Sequence, residues 1–139
     1  MEETITFELI RKIQREEQRQ PKLTKLPENF FPAVTAYLQQ KRNVKERMGG
    51  LEMKNIERLI EDVFNRRERK ILNSAIIAAR TKIPAENLTD DEREFFDRIA
   101  DWIKERRVES LKKMMAEEKE ELATLIVFRE DAQEFLGAD

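Results

Sequence analysis

The stretch NIERLIEDVFNRRERKI, Asn55–Ile71, begins with apolar residues at helical spacing and then runs into a cluster of basic residues. Apolar side chains that recur at i, i+3, i+4, i+7 and i+8 give a helix one apolar face. The residues on this spacing are Ile56, Leu59, Ile60, Val63 and Phe64. The pattern extends from about Leu51 to Arg80, which predicts a helix roughly 45 Å long at 1.5 Å per residue.

The second half of this helix is more apolar than the first. Leu72, Ile76 and Ile77 widen the apolar surface after Ile71. A helix that is apolar around more of its circumference is buried on more than one side. We therefore expect these three residues to be covered.

Two shorter segments before the long helix also have helical patterns. Both are separated from their neighbours by Pro or Gly, which mark loops. We expect the second segment to begin with Pro27 in its first turn. The apolar residues of the first segment are Phe7, Leu9, Ile10 and Ile13, and those of the second are Phe30, Phe31, Val34, Tyr37 and Leu38.

The clearest helix start in the chain is Thr89-Asp90-Asp91-Glu92, which matches the capping box. The helix after it is predicted to reach about Glu120. Its aromatic residues Phe95, Phe96 and Trp102 have two interpretations. Packing in the core is the default for aromatic residues at helical spacing, whereas a surplus of apolar surface on this helix favours contact with a partner helix.

The last part of the chain has a different composition. The run ATLIVFRED, Ala123–Asp131, is compact and β-prone. A single strand cannot form a sheet, so this run predicts either the start of a second, β-containing domain or a strand that pairs with another chain. The sequence thus predicts an all-α bundle of about four main helices over residues 1–121. Residues 122–139 are predicted to be a linker and the first strand of a small β domain that is missing or truncated.

The amino-acid composition limits the kinds of function that this chain can have. Charged residues make up 40% of the 139 residues and apolar residues another 40%, so the chain can bury a core beneath a very polar surface. The formal charge of -2 argues against a general polyanion binder. With neither Cys nor His, the usual general base, thiol nucleophile and soft metal ligands are missing. We therefore expect no catalytic residue, no metal and no cofactor. The sequence also contains no run of about 18 apolar residues, so we expect no membrane span.

The basic cluster Arg66, Arg67, Arg69 and Lys70 also has two interpretations. Nearby acidic residues favour ion pairing on the surface or at an interface. Because Arg67 lies on the apolar stripe, it is expected to be partly buried in an ion pair between helices or subunits. The alternative is a nucleic-acid-binding module that uses this cluster. Such a module would also use the basic residues Lys104, Arg106 and Arg107.

The order of these segments resembles the helical domain of a GINS subunit, a replication factor of archaea and eukaryotes. It is most similar to the archaeal subunit in which the helical domain comes first. The resemblance covers nearly the whole chain and depends on order and spacing more than on any single motif. The segments that carry it are IQREEQRQPKLTKLPENFF, NIERLIEDVFNRRERKI, LTDDEREFFDRI and REDAQEFLGAD.

The resemblance implies a non-enzymatic scaffold. GINS complexes are tetramers of sister subunits, either of two kinds or of one, that tie the MCM helicase to a RecJ-like protein, with links to primase and polymerase. The implied compartment is the archaeal cytoplasm, near the nucleoid, or the eukaryotic nucleus. By position, the core would contain Asn55, Ile56, Leu59, Ile60, Val63 and Phe64. The residues expected at a subunit interface are Arg66, Arg67, Arg69, Lys70, Ile71, Phe95, Phe96 and Trp102.

Overall fold

The structure is a computed structural model that describes residues 4–43 and 50–132, with the side chains of 117–132 left undescribed. Within these ranges the chain forms four α-helices and no β-strand. The predicted all-α class with about four main helices is confirmed. The helices are α1 (Phe7–Arg19), α2 (Phe30–Asn43), α3 (Gly50–Thr81) and α4 (Asp90–Ala132).

The chain divides into two compact units, Met1–Ala100 and Asp101–Asp139. In the first unit, α1 packs against α3. The two helices and the start of α2 share a core to which the loop before α2 contributes one leucine. Its buried members are Ile13, Leu26, Phe30, Val34 and Val63.

Local sequence explains where three of the helices begin. At α1 the Thr6 hydroxyl accepts a hydrogen bond from the backbone N–H of Leu9 at 3.1 Å, as an N-cap residue does. At α4 the predicted capping box forms, with reciprocal hydrogen bonds between Thr89 and Glu92 of 3.0 and 3.2 Å. α2 begins at Phe30, three residues later than expected, so Pro27 precedes the helix. Pro32 lies in the first turn of α2. A proline is tolerated there because the N–H groups of the first turn have no hydrogen-bond partner within the helix.

The β-strand expected over Ala123–Asp131 is wrong for these residues, because α4 continues to Ala132. A helix satisfies its own backbone hydrogen bonds, whereas a strand needs a neighbour. Once a helix has begun, each added residue costs little. Residues 133–139, which we also assigned to the strand and turn of a second domain, lie outside the described residues. The division of the chain after residue 121 stays a prediction.

The residues expected in the core lie in three environments. Ile56 and Val63 are buried, and Leu59 and Ile60 are half-buried. Phe64 departs from the expectation, since 52% of its side-chain surface is exposed. The buried residues of α3, from Met53 to Ala75, follow one face at helical spacing, and Phe64 lies one position past the buried Val63. The expected burial of a second group of apolar residues is also wrong, because Leu72, Ile76 and Ile77 lie off that face and are 38–47% exposed. Asn55 is exposed.

Candidate subunit interface and the arginine network beside it

Arg67 of α3 lies at the centre of a buried ionic network in the first unit. Only 1% of its surface is exposed. Its Nε and Nη2 atoms donate to the two carboxylate oxygens of Glu92, both at 2.7 Å. Such a two-point contact fixes both the distance and the orientation of the pair. Arg67 therefore holds the first turn of α4 against α3.

The other hydrogen bonds of Arg67 reach α1 and two loops. Nη1 donates to Glu17 Oε1 at 2.7 Å and to the carbonyl of Thr24 at 2.8 Å. Nη2 also donates to the carbonyl of Asn87 at 2.9 Å. A buried charge is tolerated when its donors are all paired. Among the described residues, no buried side-chain nitrogen or oxygen lacks a partner.

Glu17 of α1 is the second charged centre of this network. Lys70 donates to Glu17 Oε2 at 2.5 Å and the Thr24 hydroxyl donates to Oε1 at 2.7 Å. Burial acts to raise the pKa of the Glu17 carboxyl. The hydrogen bonds from Lys70, Thr24 and Arg67 outweigh it and hold that pKa below its ordinary value. Glu17 is therefore an anion in the folded protein at neutral pH.

The network corrects part of the expected interface. Arg67, Ile71 and Phe96 are 1%, 2% and 6% exposed within the chain itself. A residue covered by its own chain has little surface to offer a sister subunit. Arg67 does form an ion pair between helices, which was one of the two arrangements expected for it.

The network also bears on nucleic-acid contact through the basic cluster. Arg66 pairs with Asp62 at 2.7 Å, and Lys70 is half-buried on Glu17. Of the cluster, Arg69 alone is exposed without an ion pair to a described residue. Phosphate binding depends on several free cations acting together. The geometry therefore argues against the nucleic-acid alternative at this site.

Sequence reasoning did not find Glu17, Thr24 or Asn87. A signal for Glu17 was present, because Ile10, Ile13 and Glu17 lie at i, i+3 and i+7. The carboxylate thus continues the apolar stripe of α1, as Arg67 continues that of α3. Two opposite charges on two apolar stripes are the pattern that a buried ion pair between helices produces. The carbonyls of Thr24 and Asn87 leave no such signal.

The first unit exposes large apolar side chains on α3 and at the start of α4. On α3, Leu72 and Ile76 are one turn apart, and Phe64 lies two turns before Leu72. Phe95 is 37% exposed. The exposed apolar residues of these helices in this unit are Leu51, Phe64, Leu72, Ile76, Ile77 and Phe95.

In the second unit, the side chains are described for residues 101–116 of α4, and most of the large apolar ones among them are exposed. Trp102 has 71% of its surface accessible, the highest value among these described residues. The other exposed ones in this range are Val108, Leu111, Met114 and Met115. Of the eight residues expected at an interface, Phe95 and Trp102 are therefore the exposed aromatic ones.

A helical chain of this kind could also bind a metal ion or cross a membrane. The described part of the chain holds no group of three or more acidic residues placed to bind a metal ion. None of its helices combines the length and the apolarity needed to cross a membrane.

Comparison with known proteins identifies a family that the chain matches. Residues 7–124 fit the family model described as GINS complex subunit Psf2/Psf3-like N-terminal domain. No curated protein and no solved structure matches the chain. The matched residues contain all of α1, α2 and α3, the capping box and most of α4. The chain belongs to the GINS family, whose members are non-catalytic scaffold subunits that act in DNA replication.

Proposed function

We propose that this chain is a non-enzymatic scaffold subunit that assembles with sister GINS subunits through the apolar surface exposed on its two units. In that assembly it links the replicative MCM helicase to a RecJ-like protein. Contacts with primase or polymerase belong to the same proposal. The compartment is the cytoplasm of an archaeon, close to the nucleoid, or the nucleus of a eukaryote.

The observation that carries the proposal is the exposure of Phe64, Leu72, Ile76 and Phe95 in the first unit. Single exposed apolar residues are ordinary, but neighbouring ones on adjacent turns mark an interaction surface. Interfaces are enriched in aromatic anchors, and two of these four residues are phenylalanines. The arginine network supports the same proposal, because it holds α3 and the first turn of α4 together without using this surface.

The proposal is tested by the mass of the chain in solution. Light scattering over a concentration series would be run on the chain alone and on the chain mixed with a sister subunit. We expect a dimer or larger assembly in at least one of the two samples. A chain that stays monomeric in both would overturn the proposed assembly.

The link to the helicase needs a separate test. The assembled complex would be immobilised, and binding of purified MCM helicase and of a RecJ-like protein would be measured one at a time and together. A scaffold binds both partners at once, so the second partner should bind equally well when the first is present. Mutually exclusive binding would contradict the linking role and leave the assembly role intact.

A further inference from the structure

The first unit contains a groove that is apolar inside and acidic at its edge. It encloses about 420 Å³, a volume typical of clefts that bind ligands. The start of α2 contributes one aromatic residue, α3 and α4 contribute the rest, and no Lys or Arg is among the described lining residues. We call it the acidic groove, and its lining residues are Phe31, Phe64, Glu68, Ile71, Asp91, Glu92 and Phe95.

Two carboxylates of the acidic groove have no partner in the described chain. Glu68 and Asp91 are exposed, and neither forms an ion pair or a side-chain hydrogen bond with a described residue. The third carboxylate, Glu92, is paired with Arg67. Two negative charges therefore remain beside the phenylalanines.

The cations closest to these two carboxylates do not pair with them. Arg69 follows Glu68 directly, and adjacent residues of a helix do not face each other. Lys25 lines a neighbouring cavity to which Asp91 also contributes, but the two form no ion pair. Arg98, further along α4, is paired with the residue four positions before it. The edge of the groove therefore attracts positive charge.

We propose that the acidic groove binds a helix of a partner protein, one whose apolar side chains are flanked by Lys or Arg. The apolar side chains enter between Phe64 and Phe95, and the cations approach Glu68 and Asp91. An amphipathic helix in an apolar groove is a common mode of recognition, and the described residues offer no strand edge for the extended mode. The inference rests on the assembly role proposed above, because Phe64 and Phe95 belong to the surface proposed there, and it specifies the chemistry of what meets them.

The described part of α4 in the second unit does not have the required chemistry. Lys104 and Val108 are accompanied there by Asp101, Glu105 and Glu109. This helix in a second copy would bring carboxylates towards the carboxylates of the groove, which disfavours contact. The occupant is therefore a different protein.

The probes are two synthetic peptides of about 20 residues, long enough to form an isolated helix. One carries Leu at i, i+3, i+4 and i+7 with Lys on both sides of this stripe, and the other carries Glu in place of each Lys. Binding to the whole chain is measured by fluorescence anisotropy at low salt. We expect the lysine peptide to bind about tenfold or more tightly than the glutamate peptide.

The groove variant carries Glu68→Lys with Asp91→Lys. It should weaken binding of the lysine peptide by about tenfold or more and strengthen binding of the glutamate peptide. A matched control, Glu8→Lys with Asp97→Lys, makes the same change in charge at two exposed acids outside the groove. It should leave both affinities nearly unchanged.

A second pair of variants tests the apolar part of the groove. Phe64→Ala should weaken the lysine peptide by about tenfold, because it removes an aromatic anchor. Leu51→Ala, at a residue that is 76% exposed and outside the groove, should not. Thermal unfolding of all variants shows whether each still folds.

Three outcomes would overturn the inference and leave the assembly role standing. The first is a lysine peptide that does not bind, and the second is a control variant that weakens it as much as the groove variant does. The third is seen in light scattering of the chain alone. If the wild type self-associates and the groove variant does not, a second copy fills the groove. A wild type that stays monomeric with and without a sister subunit would instead overturn the assembly role, whatever the peptides do.

Discussion

Loss of Arg67 should destabilise the fold strongly. Replacing Arg67 by Ala would leave the carboxylates of Glu17 and Glu92 without their shared partner, one fully buried and the other nearly so. Breaking a buried ion pair from one side typically costs about 3–5 kcal/mol. We expect a loss of that size in the free energy of unfolding, measured by urea denaturation.

Arg69→Ala is the matched control for that measurement. Arg69 lies two residues away on the same helix, is exposed and pairs with no described residue. Surface substitutions of this kind change stability by less than about 0.5 kcal/mol. If both variants lost the same stability, the network would not be a source of stability in this chain.

Because of Glu17, the stability that the network contributes should depend on pH. The folded state holds the pKa of Glu17 below its ordinary value of 4.5. As the pH falls below that value, the unfolded state takes up the proton first, and unfolding becomes easier. The contribution of Glu17 is therefore complete above the ordinary pKa and is lost as the pH falls through the folded pKa.

The variant Glu17→Gln isolates this effect, since the amide has nearly the same shape and does not titrate in this range. Urea denaturation of both proteins at a series of pH values gives the comparison. The wild type should be more stable than the variant at neutral pH, and the difference should shrink as the medium becomes acidic. A difference that does not change with pH would mean that the charge of Glu17 is not what stabilises the fold.

The arginine network shows which contacts of single residues could be predicted from the sequence. The position of Arg67 on an apolar stripe was enough to predict an ion pair between helices or subunits. Its partner Glu17 lies fifty positions away in the sequence. The pairing depends on which faces of α1 and α3 pack together, and helical periodicity within one segment does not contain that information.

At the level of elements, the start of α4 depends on Thr89. Its hydroxyl accepts the N–H of Glu92, and its own N–H donates to the Glu92 carboxylate. Thr89→Ala removes the first bond and should cost about 1 kcal/mol in the free energy of unfolding. Urea denaturation would measure it.

Thr35→Ala is the control for the cap. The Thr35 hydroxyl bonds the carbonyl of Phe31 inside α2 and is exposed, an arrangement that does not stabilise a helix. This change should be neutral or slightly stabilising. If Thr35→Ala and Thr89→Ala had equal effects, the capping box would contribute nothing beyond helix propensity.

The elements also show why one prediction succeeded and another was wrong. The capping box is a local device of four residues, so the start of α4 was readable from Thr89 to Glu92. The β-prone run after Ala123 was interpreted as a strand from its side chains. What decides its conformation is the helix already running into it, which offers each new residue a hydrogen-bond partner.

For the whole molecule, sequence patterns do not distinguish a residue covered by its own chain from one left for a partner. Phe64 and Phe96 both lie on apolar helical spacings. The first is 52% exposed and the second 6%. Both satisfy the same pattern because a core and an interface bury the same kinds of side chain. Which of them is exposed depends on how the helices pack, and that packing is not a property of either segment alone.

Trp102 is the residue at which this distinction can be measured. At 71% exposure, Trp102→Ala should change the free energy of unfolding by less than about 0.5 kcal/mol. The buried Phe96, changed to Ala, should cost about 3–5 kcal/mol. In light scattering, Trp102→Ala should remain folded and yet assemble more weakly than the wild type, because a large exposed aromatic residue is a typical interface anchor. A loss of stability comparable to that of Phe96→Ala would instead assign Trp102 to a core, and unchanged assembly would remove it from the subunit interface.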